Sequence, residues 1–262
     1  MAVIFSEDWS GSDDDPWDDG RWPTIDASSN VVIDIQGNRG NVELNSSPER
    51  PVMYALADHQ VVSDFDMLFD WTPVDGNAFR LGVIFGHTGP TAGNILTLRP
   101  FGDAIQIHNL INLNANLDGN ATQAVITAGT QVVNESVAFS DPDTTRYACR
   151  VQRDGNTIRV RVWEHGGSEP GTWDVEETLT SHPTGTIGIY SMAHNTPGGN
   201  PELAFGPITI ESDDEPPVEI GVPDNVQVTL TGPTEATVTW DPVDGADAYQ
   251  VEARVRAGVE EE

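Results

Sequence analysis

Five aspartates, Asp13, Asp14, Asp15, Asp18 and Asp19, crowd into the stretch SDDDPWDDG. Calcium takes several oxygen ligands from a flexible loop, so these side chains are the candidate metal ligands and calcium is the candidate cofactor. The spacing is not that of an EF-hand, and a solvated acidic loop is the plainer reading. Trp17 lies among them, beside Pro16, and is expected to stand exposed near the loop's tip. An exposed indole covers the apolar face of a pyranose, while planar polar groups orient its hydroxyls. On that chemistry Trp17, Trp163, Trp173, His87 and Asn195 are the candidate sugar-binding residues. His87 and Asn195 fall in the polar, Gly- and Pro-containing loops 86–94 and 193–201. Trp9, Trp22 and Trp71 are expected to be core anchors instead.

Catalytic signatures are missing. There is no G-x-S-x-G, no H-E-x-x-H, no phosphate-binding loop and no paired C-x-x-C. The six histidines are scattered, and no two stand at metal-ligand spacing on one element. Asp64, Asp66 and Asp70 of SDFDMLFDW share one face of a strand, which is expected to be solvated. No residue is assigned to catalysis, and the chain is expected not to be an enzyme.

The elements that must position these groups are strands. DFDMLFDW puts Phe65, Met67, Phe69 and Trp71 on one face and the aspartates on the other. NTIRVRVWE alternates Ile158, Val160 and Val162 with Arg159, Arg161 and Trp163. AFRLGVIFG, GNILTLRP, AIQIHNL, GTIGIYSM and FGPITIES read the same way. Turn dipeptides separate the strands, at Asp75-Gly76, Asp118-Gly119, Asp154-Gly155 and Gly166-Gly167. The pattern predicts an all-β, two-sheet antiparallel jelly-roll sandwich over residues 1–211. Residues 212–222 form an acidic, proline-rich linker. Residues 223–262 hold three strands and an acidic tail, too few strands to enclose a two-sheet core.

The charge narrows the partners. The 262 residues carry a formal net charge of −30, and all 12 basic residues are arginine. Such a surface repels nucleic-acid phosphate and anionic lipid, so neither a nucleic-acid partner nor membrane insertion is expected. Binding of cationic partners and adaptation to high salt both remain open. The even spread of carboxylates suits the second. Cys149, the lone cysteine, lies in the strand-like run RYACRVQ and is expected to be a small buried residue. MAVIFSEDW has no basic region and no long apolar run, so no signal peptide is expected.

Two resemblances follow from particular stretches. The opening FSEDWS with a later GRW, the strand DFDMLFDW, and the block RYACRVQRDGNTIRVRVWEHGGSEPGTWDVEETLTSHPTGTIGIYSM together resemble the concanavalin A-like lectin/glucanase (LamG-like) sandwich. That fold hosts lectins, glycosidases and structural modules, including tail proteins of viruses. Members that hydrolyse glucans carry E-x-D-x-x-E on one strand, which this chain lacks. Members that bind calcium use an aspartate on a late strand, where this chain has Gly206. Residues from about 222 to 258 resemble the first half of a fibronectin type III (immunoglobulin-like) domain, which implies core roles for Trp240 and Tyr249. A cut chain, a short product and a half-domain completed by strands of a neighbour are all open.

The resemblances imply a non-enzymatic component of a tailed virus particle: a tail, baseplate or fibre protein. It would act in host attachment, for a salt-adapted host, and touch a host surface glycan. Its partners would be other virion proteins and copies of itself, and its place the virion. The alternative is a cellular or secreted carbohydrate-binding module. A glycoside hydrolase would need its acid/base pair assembled from different strands.

Overall fold

The structure is a computed structural model of the chain. It describes residues 1–27, 30–45, 52–58, 61–75, 79–89, 92–115, 124–179, 184–193, 201–213, 227–232, 235–239 and 241. Two compact units divide it, Met1–Glu215 and Pro216–Glu262. The first is a sandwich of two antiparallel sheets, as the alternation predicts. The only helical element among the described residues is a 3-10 turn at Pro100–Gly102.

One sheet has eight strands. In spatial order they are β13 (Val175–Thr178), β12 (Thr157–Glu164), β11 (Tyr147–Asp154), β6 (Phe65–Asp75), β15 (Glu202–Ser212), β4 (Gly40–Leu44) and β3 (Val31–Ile35). Strand β1 (Ala2–Glu7) also pairs with β15. Seven strands make the other sheet: β10 (Ala124–Ser136), β9 (Ala104–Ala115), β8 (Ala92–Arg99), β7 (Phe79–Gly89), β14 (Thr186–Ala193), β5 (Val52–Leu56) and β2 (Thr24–Ala27). In the second unit β16 (Gln227–Gly232) pairs with β17 (Glu235–Thr239). The fibronectin-like expectation for Trp240 and Tyr249 lies outside the described residues.

The core forms where the apolar faces meet. Phe65, Met67, Phe69 and Trp71 of β6 face Leu81, Val83 and Phe85 of β7, Leu96 and Leu98 of β8, and Ile187 and Ile189 of β14. Register fixes this: Cys149 lies opposite Phe69, and Val151 opposite Met67, so the period-two pattern of three neighbouring strands stays in phase. The β11–β12 hairpin closes between Asp154 and Thr157. Gly155 turns the corner at φ +56, and a Cβ there would meet nothing within 4 Å. Backbone conformation, not space, therefore asks for glycine.

Cys149 is fully buried in this core, and burial pushes its thiol pKa well up. A thiol reagent should therefore label the native protein only on the timescale of unfolding and label it at once in denaturant. Fast native labelling, read by intact mass, would contradict the packing.

Candidate functional site

The acidic loop does not gather its aspartates around a common point. Asp13 Oδ1 accepts from the Gly37 N–H (2.7 Å), Asp14 Oδ1 from Gln36 Nε2 (2.7 Å), Asp15 Oδ2 from the Ser12 N–H (2.8 Å) and Asp18 Oδ1 from the Gly20 N–H (2.7 Å). They brace the loop against its own backbone and the β3–β4 turn. Among the described residues no group of three or more His, Cys, Asp or Glu side chains is placed to hold a metal. Of the expected calcium ligands, Asp13, Asp14, Asp15 and Asp18 are thus each turned to a separate donor.

Trp17 is not exposed. Only 2% of it reaches solvent. Its ring lies 4.6 Å from Trp9 and 5.8 Å from Trp22, and Trp9 stacks on Trp22 at 5.7 Å. Each indole N–H has a partner: Trp9 donates to the Gly206 carbonyl (2.7 Å), Trp17 to that of Asp34 (2.8 Å) and Trp22 to Glu7 Oε2 (3.1 Å). Polar neighbours in sequence suggested exposure. The chain instead folds the indole inward, because three rings packed together bury more apolar surface than one ring left in the loop.

The strand aspartates differ from expectation too. Asp66 and Asp70 are both buried, not solvated. Arg150 grips Asp66 with Nε at 2.7 Å and Nη2 at 2.8 Å. Arg146 grips Asp70 the same way, with Nε at 2.7 Å and Nη2 at 2.8 Å, and Arg39 Nη2 adds a third bond at 2.7 Å. Burial alone would raise the Asp70 carboxyl; the two guanidinium groups outweigh it and hold the carboxyl below its ordinary value. Such a group stays ionised and does not serve as a proton donor near neutrality. Gly206 makes room, since a Cβ there would stand 2.2 Å from Asp70 Oδ2.

This ion-paired surface carries two of the predicted aromatics. On β12, Arg161 and Trp163 point outward, and Ala148 lies opposite Trp163. The guanidinium of Arg161 sits 4.0 Å from the centre of the Trp173 ring. Arg161 Nη1 donates to the Pro170 carbonyl (2.6 Å), and Glu169 bridges Arg161 and Arg150. Trp163 and Trp173 are both half-buried. Arg161, Arg150, Glu169 and the Trp173 ring thus meet on this face, which also carries Trp163. The alternation in IRVRVWE indicated which residues face out. The pairing of Arg161 with Trp173 was not readable, because it depends on the loop folding back.

His87 lies elsewhere, on β7 of the seven-stranded sheet opposite Thr186. Burial lowers its pKa, which favours the neutral imidazole. Asn195 lies outside the described residues. Trp17 and His87 therefore stand apart from the ion-paired face that carries Trp163 and Trp173.

The outer face of the seven-stranded sheet carries an apolar patch. Val52, Tyr54, Leu56, Ile84, Ile95 and Tyr190 form a second buried cluster there, and the Tyr190 hydroxyl donates to Thr97 Oγ1. The backbones of β9 and β10, at one end of the sheet, come alongside β2 and β5 at the other. The sheet thus rolls over this face. Along β5, β7, β8 and β14 the outward positions carry no carboxylate among the described residues.

One acid of raised pKa occurs on the eight-stranded sheet. Glu202 stands directly opposite Glu43 on β4 and Asp75 on β6. Burial raises its carboxyl first, and repulsion from Glu43, Asp34 and Asp75 adds to it, against a hydrogen bond from Asn41.

No protein-family model matches the chain, and no curated protein matches it. Solved structures do match in shape. A protein of unknown function with a galectin-like fold from Bacillus subtilis superposes with a TM-score of 0.53 at 10% identity, over 81% of this chain and 96% of that one. A β-1,3-glucanase from Mycobacterium marinum superposes with a TM-score of 0.51 at 9% identity, over 80% of this chain and 99% of that one. The carbohydrate-binding module CBM66 from Bacillus subtilis gives a TM-score of 0.48 at 13% identity, over 72% of this chain and 95% of that one. At such identities the first two likenesses establish the fold alone: the chain is a lectin-like β-sandwich.

Three measurements follow from this geometry. Trp17→Ala should cost about 3–5 kcal/mol in urea unfolding, as removal of a buried Trp side chain does. The contribution of Asp70 is present above the ordinary carboxylate pKa of about 3.9 and is lost as pH falls through its lowered native value, so Asp70→Asn should flatten the acid limb of the stability–pH curve. Glu202 has the opposite sign. Its native pKa is raised, so its charge is destabilising at neutral pH, and stability recovers as pH falls through the raised value; Glu202→Gln should be neutral or stabilising at pH 7.

Proposed function

We propose that this sandwich is a non-enzymatic glycan-binding module that works on the surface of a larger particle. The observation that carries the reading is the Trp173 ring held against Arg161, on the face that also carries Trp163, with Arg150 and Glu169 beside it. A ring held in place loses little freedom when a sugar stacks on it, and planar guanidinium and carboxylate groups suit vicinal hydroxyls. Two observations weigh against hydrolysis. Asp66 and Asp70 are neutralised by arginine, and the outward positions of β5, β7, β8 and β14 supply no carboxylate pair among the described residues. The particle we put forward is a virion, on the resemblance to viral tail proteins, with an acidic, lysine-free surface suited to high salt.

The test is a glycan array followed by calorimetry on the best ligand, at high salt. Trp163→Ala and Trp173→Ala should each weaken binding about tenfold or more, or about 1.4 kcal/mol, with the thermal midpoint little changed. No reducing sugar should be released from the same ligand. Binding untouched by both substitutions would move the site elsewhere, and hydrolysis that disappears in Glu202→Gln would overturn the non-enzymatic reading. Native mass and co-purification with particles test the virion setting.

A further inference from the structure

At one margin of the sandwich two clefts share a single wall, Arg21. One, of about 340 Å³, is lined by Val3, Ile4, Phe5, Ser6, Gly20, Arg21 and Asp58. The other, of about 230 Å³, borders Glu7, Trp9, Ser10, Asp15, Asp18 and Arg21. The first touches four consecutive residues of β1. Successive side chains of a strand point to opposite faces, so a cleft meeting all four approaches the strand edge-on, where N–H and C=O groups project. Among the described residues that edge is open in the sheet: β1 pairs there with β15 alone.

Arg21 is fixed before any ligand arrives. Its N–H donates to the Asp18 carbonyl at 3.0 Å, and its carbonyl accepts from the Asp58 N–H at 2.7 Å. Its Nη1 donates to the Ser6 carbonyl, and its Nε stands 3.9 Å from the buried Glu7 carboxylate. The guanidinium therefore spans the two clefts with its side chain still 44% exposed. Around it stand Asp58, Asp18 and Asp15 as acceptors, Ser6 and Ser10 as hydroxyls, and Val3 as exposed apolar surface.

We infer that this double cleft binds a neutral, hydroxyl-rich saccharide at a site separate from the Trp163 surface. Several carboxylates face one arginine, so the cleft offers more acceptors than donors, and sugar hydroxyls supply the missing donors. The same carboxylates and the net charge of −30 repel an anionic ligand. The ligand class rests on the glycan-binding reading above; the location does not.

The experiment is a two-dimensional 1H–15N NMR titration of the full chain at high salt. The probes are cellobiose, maltose, lactose and mannobiose, with glucuronic acid as the anionic contrast. The Trp22 Nε1–H, bonded to Glu7 beside Arg21, is the reporter. At least one neutral disaccharide should shift it in a saturable way below about 50 mM, and glucuronic acid should not. Arg21→Gln and, independently, Asp58→Asn at the exposed carboxylate should each weaken that titration about tenfold. Trp163→Ala should leave it intact. No shift with any neutral probe, shifts that survive both cleft substitutions, or shifts lost in Trp163→Ala would overturn the inference. If the Trp163 surface binds nothing while the cleft titrates normally, the proposed function has failed at its site and this inference stands.

Discussion

Strand β6 sets the terms for the first unit. Its inner residues, Phe65, Met67, Phe69 and Trp71, fill the space between the sheets, and its outer residues, Asp66 and Asp70, are buried carboxylates. An ionised carboxylate out of water is tolerable only when a cation and good hydrogen bonds replace its hydration. Arg150, Arg146 and Arg39 do this from β11, from the residue leading into it, and from the β3–β4 turn. Removing one arginine leaves a buried carboxylate with less compensation and costs stability. The outer face of the eight-stranded sheet is therefore organised by β6 as firmly as the inner one.

This constraint explains how a strongly acidic chain uses its few cations. Arg39, Arg146, Arg150, Arg159 and Arg161 all lie on that one face, and each meets at least one carboxylate. Arginine suits the task, since its planar fork meets both oxygens of a carboxylate at once, as on Asp66 and Asp70. Where no arginine reaches, the acids remain in conflict. Glu202 faces Glu43 and Asp75 across the strands, and its raised pKa records burial first and that repulsion second. The Trp163 and Trp173 patch stands on the ordered side of this divide, where Arg161 is anchored by Glu169 and by a backbone carbonyl.

The N-terminal loop follows a different logic. Its aspartates satisfy nearby donors, while its tryptophans close one end of the sandwich. Trp9 reaches Gly206, Trp17 reaches the backbone of β3, and Trp22 reaches Glu7. Gly40 lies against Trp9, where a Cβ would come within 2.7 Å of the ring. The loop is thus a plug with an acidic rim, and the clefts beside Arg21 are what its packing leaves open.

The sequence by itself determined the fold class and the facing of most strand residues, because period-two alternation is a local property of the chain. The inward sets of β6 and β12, the buried Cys149 and the tight turn at Gly155 were all legible from neighbours a few residues apart. What only the tertiary structure decided was which partner each side chain meets. The Trp17 indole looked exposed from its acidic neighbours and is buried by rings eight and five residues away and by the backbone of β3. Asp66 and Asp70 looked solvated and are held by arginines up to 84 positions distant. Arg21, a single basic residue in an acidic run, became the shared wall of two clefts only when β1 and Asp58 were brought beside it. Alternation records which way a side chain points, but register and loop closure choose its partner, and charge chemistry is a property of the partner.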